Sequence, residues 1–147
     1  DYQCEIIGDG VEMGNLKNLS ADNPKIAFCG RLSREETIKK MREADVFVMV
    51  SSPETFGLVY LEAMAQGCIT IGSRGEGIDG VIVDGKNGFL ISPRNIEELS
   101  DCINKICQMD KDVKRNIVLS AYHDAASMTD YNMADRYLQL NVNSLME

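Results

Sequence analysis

Glu54 and Glu62 stand eight positions apart in the run Ser51-Ser52-Pro53-Glu54-Thr55-Phe56-Gly57-Leu58-Val59-Tyr60-Leu61-Glu62-Ala63-Met64-Ala65-Gln66-Gly67. From Leu58 the run reads as a helix that stops at Gly67. Leu58, Val59, Tyr60, Leu61, Ala63, Met64 and Ala65 make nearly every direction around it apolar, which predicts a buried helix. Glu62 is its only charge, and a carboxylate in such a place is costly unless something satisfies it. A structural hydrogen bond to backbone or to an Arg is one solution; a pair of ligand hydroxyls in a cleft is the other. Gly57, before the first turn, leaves backbone N–H groups open to close approach, and a helix N-terminus favours anions. Glu62 lies roughly 6 Å along the axis from Leu58, at 1.5 Å per residue. That is about the distance from a diphosphate to the ribose hydroxyls of one nucleotide. Glu54 falls on the other side of the phosphates. An acceptor, an anion pocket and a second acceptor in line suit a nucleotide-sugar.

The elements that must hold these groups alternate between short apolar runs and helical patterns. Cys4–Gly8 is strand-like and ends at the Gly8–Gly10 turn; a weak helix covers Glu12–Leu19, and Lys25–Cys29 is a second strand closed by Gly30. Ser33 and Glu36 form a capping box ahead of a helix that runs to about Ala44. Val46–Val50, apolar on both faces, predicts a central parallel strand covered on both sides. Cys68–Ile71 is the next buried strand, Ser73–Gly80 a glycine-rich loop, and Phe89–Ile91 a last extended piece. Asn95 with Glu98 repeats the cap pattern, and Ile96, Leu99, Ile103 and Ile106 form a helical stripe. Helices are also expected over Lys111–Ala126 and Tyr131–Met146. The expectation is an α/β, Rossmann-like, doubly wound parallel sheet over residues 1–92, with three helices in 93–147, all in a single domain. Ligands in such sheets sit at the carboxyl ends of the strands.

Composition excludes several classes. Fifteen basic and twenty-three acidic residues give the 147-residue chain a net charge of −8, against phosphate neutralisation on nucleic acid or a polybasic membrane surface. No apolar run approaches the roughly 18 residues of a membrane span. Nothing at the start reads as a signal peptide, and the chain opens without Met almost directly on a strand, the pattern of a piece of a longer protein. Its five cysteines show no CxxC spacing. Cys4, Cys29, Cys68, Cys102 and Cys107 are expected as buried free thiols in a reducing compartment, hence a cytoplasmic protein. His123, the only histidine, reads as a packing or surface residue, and the eight methionines as core filler. Between positions 25 and 42 the chain is locally basic. That is either a solvated helix face or Arg31 or Arg34 lining an anionic pocket.

The pattern Ser-x-x-Glu-x-Phe-Gly-Leu-x-x-Leu-Glu-Ala-Met-Ala-x-Gly resembles the signature of family 4 retaining glycosyltransferases. Gly8-Asp9-Gly10, Phe28-Cys29-Gly30 and Asp84-Gly85-Lys86-Asn87-Gly88-Phe89-Leu90-Ile91 occur in the same order and spacing as in that family. The resemblance implies the C-terminal, donor-binding half of a GT-B fold, and Gly67–Ser73 leans toward enzymes of capsule and exopolysaccharide assembly. It implies a nucleoside diphosphate sugar donor and a glycan or lipid-linked acceptor bound by an N-terminal domain that lies outside this chain. At most peripheral membrane association would follow. Glu62 would then bind the ribose hydroxyls. Glu54, as catalytic residue, would orient the donor sugar or support charge at its anomeric centre. The N–H groups of Phe56, Gly57 and Leu58 would hold the diphosphate, while Gly30, Arg31 and Leu32 would border the nucleobase. Arg74 could also reach a phosphate. No metal or other cofactor is implied, because the helix terminus and basic side chains neutralise the leaving diphosphate.

The sequence departs from the family where relatives often carry Gly-Gly-x-x-Glu: here it reads Gly75-Glu76-Gly77-Ile78-Asp79-Gly80. Two rival readings stand beside the hexose-transferring enzyme. One is a catalytically silent glycosyltransferase-like domain acting as a binding or regulatory partner. The other is an unrelated doubly wound domain, such as half of a hydrolysing nucleotide-sugar enzyme or a phospho-acceptor module. Asp45, placed before its strand, speaks against the phospho-acceptor.

Overall fold

A computed structural model describes residues 2–20, 23–55 and 57–128. The expected helix over Tyr131–Met146 lies outside them. The chain divides into two compact units, the first ending at Lys40 and the second beginning at Met41.

In the first unit, β1 (Cys4–Ile7) pairs in parallel with β2 (Ile26–Gly30), and α1 (Met13–Ser20) lies between them in sequence. The pairing runs from Cys4–Ile26 to Ile6–Phe28 and then slips, so that Ile7 meets Gly30. None of the α1 residues is buried. The unit boundary falls inside α2 (Arg34–Glu43), whose start is the expected capping box. The Glu36 N–H donates to the Ser33 hydroxyl at 3.2 Å, and the Glu36 carboxylate accepts from the Ser33 N–H at 2.8 Å. The Ser33 hydroxyl, which donates to the same carboxylate at 2.7 Å, and the Ser33 N–H together hold the Glu36 carboxyl below the usual carboxylate range.

The second unit is built on three parallel strands in the order β3 (Val46–Val48), β4 (Ile69–Ser73) and β5 (Phe89–Ile91). Side chains alternate between faces, and both faces are packed. On one, Ile69, Ile71, Phe89 and Ile91 meet Ile106 of α4 (Ile96–Gln108) and Ile117 of α5 (Lys111–Ser127). On the other, Leu90 packs with Tyr60 of α3 (Leu58–Gln66) and with Ile78 and Ile82 of the loop that follows β4. Gly72 faces this second cluster, where a Cβ would come within 2.8 Å of the Ile78 side chain. Asn87, only 1% exposed, closes the loop before β5. It donates to the Val81 carbonyl and to Asp124 of α5, and accepts from the Val83 N–H at 2.7 Å.

The structure corrects three expectations. The central strand is β4, all five residues of which are buried; β3 is an edge of the described sheet and leaves Val48 39% exposed. An unbroken apolar run reports affinity for a core, not the order of strands across it. Among the cysteines only Cys68 is buried, while Cys4 and Cys107 are exposed and Cys29 and Cys102 half-buried. Burial together with the nearby Asp45 carboxylate pushes the Cys68 thiol up to about 11. Finally, α3 is not buried all round: Tyr60, Ala63 and Met64 face the core, while Leu58 is 68% exposed.

Candidate functional site

The loops that leave the carboxyl ends of β3 and β4 are bonded to one another. After β3 the Met49 N–H still donates to the Ile71 carbonyl at 3.1 Å, and the chain then turns through a cis Ser52–Pro53 bond to Glu54. After β4, residues 74–82 fold back under their own hydrogen bonds. The Gly75 N–H donates to the Asp79 carboxylate at 2.6 Å, and the Asp79 N–H to the Glu76 carbonyl at 2.8 Å. Both backbone polar groups of Glu54 bond to the second loop. The Glu54 N–H donates to the Glu76 carboxylate at 2.7 Å, and the Gly77 N–H donates to the Glu54 carbonyl at 3.0 Å. Hydrogen bonds from the Ser52 hydroxyl and the Glu54 N–H hold the Glu76 carboxyl below its ordinary range.

Helix α3 starts directly beyond this junction, and its N-cap is Gly57 at φ 65°. No side chain caps it, and its first turn carries no acidic residue. The Tyr60 N–H turns back to the Gly57 carbonyl at 2.9 Å, and the flanking side chains supply no acceptor for the N–H groups ahead of it. The need for glycine has a second cause besides ligand approach. A Cβ on Gly57 would lie 2.7 Å from the Tyr60 ring and 3.1 Å from Met49 Cε. Tyr60 is fully buried, and its hydroxyl donates to the Met49 carbonyl at 2.5 Å, which ties α3 to the end of β3. Burial, with the carboxylates of Glu54 and Glu76 nearby, pushes the Tyr60 hydroxyl up to about 12.

Glu54, Gly57, Leu58 and Glu62 therefore belong to one continuous stretch of the second unit, with Glu54 and Glu62 both half-buried. Phe56 lies outside the described residues. Arg74 opens the bonded loop after β4. Its guanidinium donates to the Leu90 carbonyl at 2.6 Å and stands 3.5 Å from Glu98. Gly30, Arg31 and Leu32 belong to the first unit, where Gly30 ends β2 at φ 65° and its carbonyl accepts from the Gly8 N–H at 2.8 Å. Arg31 is exposed and Leu32 half-buried. Among the described residues no group of three or more His, Cys, Asp or Glu side chains is placed to hold a metal ion, and no helix is long and apolar enough to cross a membrane.

Sequence reasoning missed Glu76 and Tyr60. A charge flanked by glycines in a loop after a buried strand was the available signal for the first. For the second it was a lone hydroxyl on the inward face of α3.

Parallel strands with helices on both faces give the α/β fold of the C-terminal half of GT-B proteins, the fold on which the chain superposes. Residues 1–122 match the family of glycosyl transferases group 1, and the chain belongs to that family. It is 36% identical over 138 residues to the sulfoquinovosyl transferase SQD2 of Arabidopsis thaliana, an alignment covering 91% of this chain and 26% of that protein. With the lipopolysaccharide core biosynthesis glycosyltransferase LpsE of Rhizobium meliloti it shares 30% identity over 139 residues, 92% of this chain and 40% of that one. Among solved structures, Anabaena HepE in complex with UDP-glucose superposes with a TM-score of 0.76 at 24% identity, covering 97% of this chain and 41% of HepE. The C-terminal domain of the group 1 glycosyl transferase LpcC from Francisella tularensis gives a TM-score of 0.76 at 26% identity, covering 87% of this chain and 70% of that domain. The chain thus spans well under half the length of these two relatives, 26% of SQD2 and 40% of LpsE.

Proposed function

We propose that the protein carrying this chain is a retaining glycosyltransferase of the family 4 kind. In this reading it moves a hexose from a nucleoside diphosphate sugar to a glycan or lipid-linked acceptor. The setting is polysaccharide assembly of the capsule or exopolysaccharide type, in the cytoplasm or at the cytoplasmic face of the membrane. One observation carries the reading. Helix α3 begins on a glycine with no side-chain cap and no acidic residue in its first turn, and the two carboxylates of the motif, Glu54 and Glu62, lie on either side of that start. Support also comes from relatives named as glycosyltransferases and from a neighbour that holds UDP-glucose.

The roles follow from charge. The N–H groups of Phe56, Gly57 and Leu58 meet the diphosphate, whose negative charge grows as its bond to the anomeric carbon breaks. Fixed dipoles aimed at developing charge stabilise that change without reorganising. Glu62 accepts from the ribose hydroxyls, and Glu54 faces the sugar, orienting it and supporting positive charge at the anomeric centre. Arg74 offers its remaining guanidinium nitrogens to a phosphate. The transfer uses no resident metal or other cofactor. Residues 1–147 act as a single donor-binding domain, a core over 1–92 with helices over 93–147. The acceptor is held by the rest of the protein, so this chain by itself binds donor weakly and transfers nothing.

The test is titration of the full-length protein with UDP, GDP and ADP and with their glucose conjugates. Glu62→Ala should weaken the bare nucleotide by about tenfold to a hundredfold, the range of a lost hydrogen bond to a charged group. Glu54→Ala should leave the bare nucleotide within about twofold and abolish turnover of the sugar conjugate. The reverse pattern would overturn these roles.

A further inference from the structure

Loop 74–82 would keep its shape without the carboxylate of Glu76. Gly75 bonds to Asp79, the N–H groups of Val81 and Ile82 donate to the Ile78 carbonyl at 3.1 and 3.0 Å, and Ile78 and Ile82 are anchored in the core at 0% and 1% exposure. The backbone carbonyl of Glu76, not its side chain, takes part in that internal set by accepting from Asp79. The carboxylate reaches outside the loop, to the Ser52 hydroxyl and the Glu54 N–H. With Gly77 bonded to the Glu54 carbonyl, residue 54 is gripped through both of its backbone polar groups. Glu54 sits in an irregular stretch between β3 and α3, with no helix or strand ladder of its own to fix it. Its backbone direction therefore depends on bonds from elsewhere in the fold. Glu76, 22 positions away in sequence, and its neighbour Gly77 supply them.

We propose that Glu76 is a positioning residue for the donor site: its carboxylate fixes the main chain of Glu54, and so sets where the Glu54 carboxylate meets the sugar of a nucleoside diphosphate sugar. This rests on the transferase reading above. An ionised carboxylate suits the task because it accepts from two donors at once without offering a competing one. A shift of about 1 Å in a catalytic group costs on the order of a hundredfold in rate, so the effect should be read at the sugar and not at the nucleotide.

The experiment uses the full-length protein as wild type, Glu76→Ala, Glu76→Gln, Glu54→Ala and the double variant Glu54→Ala/Glu76→Ala. The probes are UDP, GDP and ADP and their glucose conjugates. For whichever base binds, affinities for the bare diphosphate and for the conjugate are measured with turnover of the conjugate, and hydrogen exchange reports the Glu54 amide. Glu76→Ala should leave the bare diphosphate within about twofold. It should lower conjugate turnover by about tenfold to a hundredfold and speed exchange at the Glu54 amide. Glu76→Gln, which keeps one acceptor, should fall between. In the Glu54→Ala background, where turnover is already lost, Glu76→Ala should change the conjugate's affinity by less than about twofold, because the group it positions is gone.

Equal losses of conjugate affinity in both backgrounds would make Glu76 a general structural residue and overturn the proposal, as would an unchanged Glu54 amide in Glu76→Ala. A wild-type protein that binds none of the six probes would defeat the transferase reading, and this proposal with it. Failure at Glu76 alone, with wild type binding a conjugate more tightly than its bare diphosphate, would leave the transferase reading standing.

Discussion

Helices α3 and α4 follow strands or loops of the same unit, yet their first turns are built in opposite ways. At α4 the chain supplies its own acceptors. Asn95 Oδ1 accepts from the Glu98 N–H at 3.0 Å, Glu97 and Glu98 place two carboxylates in the first turn, and Glu98 also accepts from the Ser92 N–H at 2.8 Å. The end of α2 is filled by Ser33 and Glu36, and that of α5 by Asp110, which accepts from the Asp112 N–H at 2.8 Å. At α3 there is a glycine in the left-handed region, no side-chain cap and no acid in the first turn. A cap contributes about 1 kcal/mol, and a carboxylate at the positive end of a helix about 0.3–1 kcal/mol more. Of these four starts the chain takes that stabilisation at three and forgoes it at the one lying between Glu54 and Glu62; α1, in the first unit, also has no acid in its first turn, but it buries none of its residues. Read together, the four starts separate a helix end that completes the fold from one left for an outside anion.

The largest expected effect breaks the open end. Gly57→Ala forces a Cβ to within 2.7 Å of the Tyr60 ring at φ 65°, and that ring is held by the hydroxyl bond to Met49. Backbone strain and overpacking each cost about 1–3 kcal/mol, so a combined loss of about 3 kcal/mol is expected. The urea midpoint of the full-length variant against wild type measures it. A loss under about 0.5 kcal/mol would mean that Gly57 is not held by its surroundings, and the contrast with α4 would lose its structural half.

A second substitution makes α3 resemble α4. Leu58 is 68% exposed at the first helical position, so Leu58→Asp can place a carboxylate there without emptying the core. Stability should rise by about 0.3–1 kcal/mol, as for any acid at a helix start. Affinity for a nucleoside diphosphate should fall by about tenfold, because the variant carries a competing anion where the phosphates bind. Thermal melting and calorimetric titration of one preparation read both signs. Movement of the two in the same direction would remove the anion site from α3.

What could be read from sequence was local. The bounds of α3 follow from Gly57 and Gly67, and the caps at Ser33–Glu36 and Asn95–Glu98 follow from side chains three positions apart whose bonds depend on helix geometry alone. What could not be read was either long-range or relational. Glu76 meets Glu54 across 22 positions, and nothing periodic marks such a pair. The reach of Tyr60 to Met49, 11 positions back, depends on α3 folding against the end of β3. Val46–Val48 outranks Ile69–Ser73 in apolar character, yet the latter lies between two strands, because placement within a sheet is set by which helices connect them. Exposure of Cys4 escaped for a similar reason: strand residues alternate faces, and the side chain's type does not say which face the fold covers.

The smallest expected effect sharpens the comparison from its closed side. Asn95→Ala removes the acceptor that meets the Glu98 N–H, and with it a 3.3 Å contact between the Asn95 amide and the Glu98 carboxylate. Loss of such a cap costs about 1 kcal/mol. The remaining bond from the Ser92 N–H to Glu98 keeps the first turn of α4 from opening further. Asn95→Asp, which retains the acceptor, should restore most of the loss. Neither variant should change the affinity for a nucleoside diphosphate by more than about twofold, because the partners at this helix start all belong to the chain itself. Urea denaturation and titration of the full-length protein check both halves of the expectation. If Asn95→Ala weakened nucleotide binding as strongly as Leu58→Asp, the two helix starts would be equivalent, and an uncapped terminus would no longer distinguish the binding end from the structural one.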